Sequence, residues 1–503
     1  MTPLRNAITV IAGFAVLAAI GCARRRTPDD TLVLVIETSM AGADPRYAVS
    51  NYDSKLSKLV YAGLTAVDTP SLEPRLELAA KITAVEPRTW DVELRPDAKF
   101  SDGTPVTAGD VAYTYGSMLD ASSDSLFHKG FAERFTGVEP ISERVVRFHL
   151  KEPLATFLTD LDFGIVSRVG GKGAGPYVVR ELSTSHVVLD VNPSYFGAKP
   201  KVPHVEIKFV RDDSARMLML AGGSVDLLQN ARPDLVDDIA ARPRVRVTSG
   251  PSVLLTYMLI NNDDPVLRDH RVREAIALAL DRPALVAAKF GGRAVLATGL
   301  LPPIHWAYNP DVPRYGRDLA RAKALLDEAG YKAGPDGIRL HLVYKTSAVA
   351  FRVALARALA AQLGDAGIAV EVRSFEFGTF FADVKKGNYQ LATMQSSEIT
   401  EPDFYYFYFH SSRIPDAKDP DGGNRWRYRN PEIDRLTEAG RAELDRDKRK
   451  AIYAQVQRIV AQDLPIVPLW HEDNVVLSNV DVQGYAIVPN ARFVGLIGAT
   501  KSP

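Results

Sequence analysis

Residues 391–428 hold the side chains of this chain that are best suited to contact a ligand. They include six consecutive aromatic residues, Phe404–Phe409, and rings that point in every direction cannot all enter one packed core. We therefore predict that some of them, Tyr405 and Tyr406 among them, line a binding cleft, where aromatic rings give apolar contact at low entropic cost. The alternative is a core element with two exposed rings.

A second group of candidate binding residues lies at 424–428, where Trp426 stands between Arg425 and Arg427. A guanidinium group can hold a carboxylate through two parallel hydrogen bonds, so Arg425 is predicted to meet a ligand carboxylate. Trp426 is predicted to line the same pocket. The arginines could equally pair with neighbouring acidic residues.

The chain contains no sequence signature of a catalytic or phosphate-binding site. Gly-x-Ser-x-Gly, His-Glu-x-x-His and Gly-x-x-x-x-Gly-Lys-Ser/Thr are all absent from the sequence. The nine histidines are scattered, and neither His410 nor His471 has a partner at helical or hairpin spacing. We predict a binding protein and not an enzyme, with no catalytic residues, no cofactor and no metal site.

Periodicity predicts the elements that position these residues. Apolar residues alternate in short runs and recur at helical spacing in the longer runs between them. This order predicts an α/β fold with a parallel or mixed sheet covered by helices. The predicted strands are 338–344, 368–372 and 389–394, and the predicted helices are 214–220, 271–279, 318–329, 351–363, 377–386 and 447–461.

Length and charge limit the class of protein. A chain of 503 residues is too long for one small core, so two or more lobes are expected. Lys and Arg together number 61, as do Asp and Glu, and this balance offers no basic face for nucleic acid.

The N-terminus is typical of an exported protein. Arg5 precedes an uncharged and mostly apolar run at 7–20, which is shorter than the roughly 20 residues that span a bilayer. Such a run matches the apolar part of a secretory signal.

The residues that follow predict a lipid anchor. Ala19 to Cys22 resemble a bacterial lipobox, which implies that 1–21 form a signal peptide, that Cys22 is lipidated, and that 22–30 are a tether. The alternative is a plain secreted protein in which Cys22 is incidental. Cys22 is the only cysteine, so an intramolecular disulfide is excluded.

Residues 90–115 have the most distinctive amino-acid sequence in the chain. They predict a strand, a turn at Asp102-Gly103 and a helix that Thr107 caps with Asp110 three residues later. The run from Leu94 to Val111 resembles the signature of the extracytoplasmic solute-binding proteins of family 5, which serve peptide and nickel ABC importers. The resemblance continues, in matching order, at 173–177, 192–197, 271–282, 325–331 and 428–434.

The resemblance implies a two-lobed periplasmic-binding-protein type II fold, in the large family 5 variant, with a hinge between the lobes. Lobe I is expected at 31–261 plus 470–503, with an inserted subdomain at about 50–175. Lobe II is expected at 262–469.

The resemblance also implies that the chain captures a peptide and delivers it to ABC permease and ATPase subunits, as a monomer in the periplasm or cell envelope. In peptide-binding relatives an Asp shortly before an acidic-Pro pair holds the ligand ammonium. Glu401-Pro402 matches that pair, and Glu398 is the acid upstream, although a solvated surface Glu is the alternative. Other possibilities are a non-peptide solute (an oligosaccharide, opine, haem or metal chelate) and a signalling or chaperone-like lipoprotein.

Overall fold

The computed structural model describes residues 27–48, 50–396 and 399–502, which form two lobes around separate sheets. This confirms the predicted two-lobed α/β fold. The sheet of the first lobe has seven strands, in the order Val245–Gly250, Asn474–Asn479, Leu227–Gln229, Thr31–Ile36, His204–Phe209, His186–Val191 and Tyr177–Leu182. The sheet of the second lobe has six strands, in the order Ala294–Leu296, Ile466–Glu472, Leu255–Ile260, Leu391–Ser396, Leu340–Ser347 and Ile368–Phe375.

Helices cover both sheets. Those of the first lobe are Asn51–Val60, Ala108–Leu119, His128–Arg134, Phe157–Asp160, Asp213–Gly222, Val236–Ala240 and Gly495–Gly498. Those of the second lobe are His270–Ala279, Arg282–Phe290, Leu319–Glu328, Ala350–Gly364, Phe377–Lys386, Phe404–Phe409, Pro431–Ala442 and Arg446–Asp463.

A four-stranded antiparallel sheet forms a subdomain with its own core inside the first lobe. Its strands are ordered Ala79–Glu86, Thr89–Leu94, Val145–Leu150 and Phe135–Pro140. The distinctive stretch at 90–115 builds this core, since Val92, Phe100 and Tyr115 are all fully buried in it. The backbone N–H of Thr107 donates to the Asp110 carboxylate at 3.0 Å, which confirms the predicted helix cap.

The helix predicted at 214–220 begins one residue earlier, at Asp213, and runs to Gly222. Asp212 caps it by accepting from the backbone N–H of Ala215 at 2.7 Å, as Asp is among the strongest N-cap residues. Asn430 caps the helix Pro431–Ala442, which has Pro431 at its first position, where the missing N–H of proline costs no hydrogen bond.

The chain crosses between the lobes twice. The first crossover joins the strand that ends at Gly250 to the one that begins at Leu255, and the second passes through Asp473. The predicted limits, 261 and 470, fall after the strand Leu255–Ile260 and inside the strand Ile466–Glu472. The two crossovers are therefore neighbours, because these strands pair in the second-lobe sheet.

Two of the buried histidines in the second lobe have strongly lowered pKa values. His305 and His471 are 3% and 2% exposed, and burial lowers the pKa of each imidazole to about 3. Both rings are therefore neutral in the folded protein at neutral pH. For both, the unfolded chain binds the proton more tightly than the folded protein does.

We expect the buried imidazole of His471 to make the protein less stable as the pH falls, because unfolding allows it to bind a proton. Its contribution is fully present above an unfolded pKa of about 6.5 and is lost progressively towards pH 3. His471→Phe removes the titrating group from an apolar environment, so this variant should lose less stability than the wild type between neutral pH and about pH 5. Urea denaturation at several pH values measures the difference. Parallel pH profiles for the two proteins would contradict the assignment.

Candidate functional site between the lobes

A cavity of about 440 Å³ lies between the lobes, beside both crossovers. The first lobe lines it with Asn51 and Lys55 and with the loop that follows the strand Leu227–Gln229. The second lobe lines it with Phe290 and with the ends of strands at Gln395 and Glu472. A volume of this size lies within the range of small-ligand sites, and ligands of open α/β sheets bind beyond the carboxyl ends of strands.

The first-lobe wall contains strained backbone. Asn230 and Ala491 both line the cavity and have positive φ angles of 56° and 54°. The side chain of Asn230 donates to the hydroxyl of Tyr52 at 2.9 Å, and that hydroxyl donates to the Glu37 carboxylate at 2.6 Å. Such conformations persist where the surroundings impose them, and they concentrate at ligand sites.

A polar network forms the second-lobe wall. Three neighbouring strands place Gln395, Thr256 and Glu472 side by side. The amide of Gln395 accepts from Arg352 Nη2 at 2.8 Å and donates to Glu472 Oε1 at 2.7 Å. Thr256 Oγ1 donates to the same carboxylate oxygen at 2.8 Å. Burial raises the pKa of the Glu472 carboxyl, and the charge of Arg352 opposes this only in part.

The two lobes are in contact next to this cavity. Arg293 of the second lobe forms an ion pair with Asp237 of the first lobe at 2.9 Å. The backbone carbonyl of Arg293 also accepts from the N–H of Asp473, in the second crossover, at 3.1 Å. Arg293, which follows the helix Arg282–Phe290, is thus held against both the first lobe and the second crossover.

A second contact between the lobes involves a buried ion pair. Glu401 and Arg449, with side chains 9% and 5% exposed, are joined at 2.7 Å within the second lobe. Thr159 of the first-lobe subdomain donates its hydroxyl to Glu401 at 2.9 Å. The backbone N–H of Ala155 donates to the carbonyl of Arg441 at 2.8 Å nearby. The first-lobe subdomain and the second lobe are therefore in direct contact at this point as well.

Two of the predicted site residues lie outside the described residues. These are Glu398, the expected partner of a ligand ammonium, and Cys22, the expected lipidation site. Glu398 follows the strand Leu391–Ser396, whose residue Gln395 lines the cavity. Both assignments stay predictions.

The structure places two predicted ligand-binding residues in the core of the second lobe. Tyr405 and Trp426 are fully buried, and the hydroxyl of Tyr405 accepts from the backbone N–H of Leu300 at 3.2 Å. The ring of Trp426 packs against Tyr408 and Phe409. Neither residue lines the cavity of 440 Å³ in this conformation. The aromatic block is helical, and its helix turns the rings of Tyr405, Tyr408 and Phe409 towards the core.

The other two predicted ligand-binding residues are partly exposed. Tyr406 lines a separate cavity of about 480 Å³ between the subdomain and the second lobe, where the Arg441 guanidinium stacks 4.0 Å from the centre of its ring. Arg425 lies over the ring of Phe381, 5.1 Å from its centre. Ligand contact by Tyr405, Tyr406, Arg425 and Trp426 stays a prediction.

Sequence reasoning missed the polar network of Arg352, Gln395 and Glu472. The three residues lie far apart in the chain, and each is unremarkable in its local pattern. One signal was present: Glu472 is a carboxylate at the end of a strand that otherwise reads as buried and apolar.

Neither a metal-binding cluster nor a membrane-spanning helix occurs in the described part of the chain. There, no group of three or more His, Cys, Asp or Glu side chains could hold a metal ion. Within the same residues, no helix is both long and apolar enough to cross a membrane.

Comparison with known proteins links this geometry to one family. The profile described as "Bacterial extracellular solute-binding proteins, family 5 Middle" matches residues 73–416. Among curated proteins, the chain is 27% identical to the probable D,D-dipeptide-binding periplasmic protein DdpA of Escherichia coli, over 93% of each chain. It is 26% identical to the oligopeptide-binding protein AppA of Bacillus subtilis, over 88% of this chain and 86% of that protein.

Solved structures share the fold. The substrate-binding protein CtaP of Listeria monocytogenes superposes with a TM-score of 0.83 at 23% identity, over 94% of this chain and 99% of that one. NikZ of Campylobacter jejuni, in complex with Ni(L-His), superposes with a TM-score of 0.78 at 23% identity, over 94% of this chain and 100% of that one.

Proposed function

The chain belongs to the bacterial extracellular solute-binding proteins of family 5, and we propose that it is the substrate-binding component of an ABC importer that carries peptides. The observation that carries this proposal is the cavity between the lobes, which both lobes line and both crossovers border. The relatives DdpA and AppA are named as peptide-binding proteins, which supports a peptide as the solute. The chain binds and delivers its solute, and we assign it no catalytic role.

In the proposed function, the two lobes close around the solute. A solute that contacts both walls of the cavity binds the closed form more tightly than the open form, and this difference in affinity shifts the population towards closure. The permease then recognises the closed pair of lobes. The backbone of an extended peptide can pair with protein backbone at the cavity wall, which would accept many side chains.

A charged solute that is not a peptide is the second candidate. The similar fold of NikZ holds Ni(L-His), so this architecture also accepts small charged complexes. The polar wall around Glu472 and Arg352 would suit such a solute as well as a peptide. A signalling or chaperone-like role would use the same cavity without a permease.

Export and anchoring complete the proposal. Cleavage before Cys22 and lipidation of its thiol would hold the protein, as a monomer, at the outer face of a membrane in the cell envelope. The sequence Ala19 to Cys22, which resembles a lipobox, is the support for this part of the proposal.

Mass spectrometry tests the proposal directly. We expect native spectra of the protein from its own cells to show a co-purified peptide, and calorimetry with a peptide library to show saturable binding. The intact mass should also show a mature chain that begins at a lipid-modified Cys22. Absence of peptide from the purified protein, together with no binding from the library, would refute the peptide assignment, and release of a different solute would establish the second candidate.

A further inference from the structure

One loop of the subdomain contacts both the first crossover and the second lobe. This loop, residues 67–74, joins two short strands that pair with each other, so its two ends are held together. Inside the loop, Thr69 Oγ1 donates to the backbone carbonyl of Glu73 at 2.8 Å, and the backbone N–H of Leu72 donates to the carbonyl of Thr69 at 3.1 Å. The loop is therefore an ordered element that presents one side to each neighbour.

The inner side of this loop packs against the first crossover. Val67 and Leu72 form a small buried apolar cluster with Val253, which lies in that crossover and lines the cavity between the lobes. The carbonyl of Val67 accepts from the side-chain amide of Asn490, in the same cavity wall, at 2.6 Å. Leu72 takes part with a φ angle of 63°, which costs free energy in a residue that has a Cβ and persists only where surrounding contacts impose it. The side chain of Leu72 is thus held against the segment that must bend when the lobes move.

The outer side of the loop contacts the second lobe. The carbonyl of Ser71 accepts from the backbone N–H of Trp306 at 3.3 Å, and the carboxylate of Glu73 pairs with Arg446 at 2.5 Å. The guanidinium of Arg446 lies 5.2 Å from the centre of the Trp306 ring. A cation over an aromatic face is attracted to it, so Trp306 and Arg446 form one surface that receives the loop.

The same surface continues to the other contact between the subdomain and the second lobe. The guanidinium of Arg449 lies 5.7 Å from the centre of the Trp306 ring, and it pairs with Glu401, which accepts from Thr159 of the subdomain. None of these four residues lines the cavity between the lobes. The subdomain therefore holds the second lobe at two points outside that cavity, and both points adjoin Trp306.

We propose that residues 67–74 act as a strap that couples the first crossover to the contact between the subdomain and the second lobe. Bending of the crossover moves Val253 against Leu72, and separation of the second lobe breaks the bonds of Ser71 and Glu73. Because one ordered loop makes both sets of contacts, each set stabilises the other. The strap therefore favours the arrangement in which the subdomain touches the second lobe, through contacts that the separated form does not make. It acts whichever solute the cavity accepts, and so extends beyond the proposed function.

Double electron–electron resonance on the unliganded full-length protein tests this inference. Spin labels at Ser142→Cys in the subdomain and Lys450→Cys in the second lobe, two exposed positions, report the separation once Cys22→Ser has removed the native thiol. The wild-type contacts should give one main distance. Glu73→Arg places two guanidinium groups against each other, so the ratio of contacted to separated molecules should fall by about 5- to 30-fold. Adding Arg446→Glu exchanges the two charges and should restore the main distance.

Leu72→Ala tests the coupling to the crossover. Alanine shortens the side chain that packs against Val253 and leaves Ser71 and Glu73 in place, yet the second lobe should separate more often in this variant as well. Leu76→Ala replaces a leucine of the same hairpin that is 48% exposed, and this matched control should keep the wild-type distance. Val253→Ala removes the same contact from the other side, and urea unfolding establishes that each variant is folded.

The outcomes separate the two parts of the inference. Unchanged distances in Glu73→Arg, or a swapped pair with Arg446→Glu that stays separated, would overturn the strap. Separation in Glu73→Arg together with wild-type distances in Leu72→Ala and Val253→Ala would overturn its coupling to the crossover. Because these measurements use no solute, they stand or fall independently of whether the protein carries peptides.

Discussion

Replacement of Glu401 by glutamine is expected to destabilise the second lobe by about 3–5 kcal/mol. The substitution keeps the shape of the side chain but leaves the guanidinium of Arg449, whose side chain is 5% exposed, without its counter-ion. Arg449 keeps its hydrogen bond to the neutral backbone carbonyl of Gly440 at 3.1 Å, and the charge of Asp403 acts on it without a direct ion pair. Equilibrium unfolding in urea, followed by a tryptophan signal of the second lobe, measures the loss.

Glu432→Gln is the matched control for this experiment. Glu432 pairs with Arg435 at 2.6 Å in the same lobe, but both side chains are about half exposed, at 49% and 63%. Exposed pairs contribute between about 0 and 1 kcal/mol, so this variant should unfold almost as the wild type does. Equal losses in the two variants would show that burial of the Glu401 pair does not determine its contribution.

Glu401 also accepts a hydrogen bond from the first lobe. The variant Thr159→Val tests how much this contact between the lobes contributes to their closure. The valine removes the hydroxyl that donates to Glu401 at 2.9 Å from the first lobe, and it leaves the ion pair intact. Lobe closure should weaken while the stability of the second lobe is retained. Small-angle scattering of the unliganded protein would report this as a shift towards the open form.

Replacement of Gly173 by alanine is expected to destabilise the first lobe by about 3 kcal/mol or more, the upper end of the range for overpacking. A Cβ at this position would lie 2.1 Å from the backbone carbonyl oxygen of Val60 and 2.8 Å from its carbon. The obstacle is backbone at the end of a helix, and Gly175 fixes it further by donating to the same oxygen at 2.8 Å. The loop at Gly173 and the helix Asn51–Val60 must therefore separate to admit the methyl group.

Gly116→Ala supplies a control with the opposite sign. Gly116 is exposed inside the helix Ala108–Leu119, and a Cβ there would meet nothing within 4 Å. Alanine at an exposed helical position is favoured over glycine by about 0.5–1 kcal/mol, so this variant should be slightly more stable than the wild type. Thermal denaturation of both variants checks the pair, and a Gly173→Ala protein as stable as the Gly116→Ala protein would show that the turn can relax.

The two crossovers explain why the site lies where it does. Gln395 and Glu472 end two strands of the second lobe, and the loop at Asn230 faces them from the first. A solute between these walls would bridge the lobes where the chain passes from one to the other. Small changes there would become a rotation of whole lobes, because the crossovers are where the backbone can bend.

The sequence predicted the helices and strands correctly where interactions between neighbouring residues determine them. Strands with period-two alternation, such as Leu340–Ser347, and helices with clear caps, such as Leu319–Glu328, lie where the pattern predicts them. The stretch at 90–115 indicated its strand, turn and capped helix in full, since each depends on neighbours within a few residues. The sequence of this stretch also indicated the family, which the match of the family profile to residues 73–416 confirms.

The site depended on contacts that no local pattern contains. The block Phe404–Phe409 has rings in every direction, and only the packing of its helix decides that Tyr405 enters the core while Tyr406 meets the second cavity. Glu472, Thr256 and Gln395 come together because the register of three strands aligns them. Sequence by itself determined the family and the elements, since periodicity, caps and turns act over short distances. Tertiary structure alone decided which side chains reach the cavity, because burial and hydrogen bonding there join residues more than 100 positions apart.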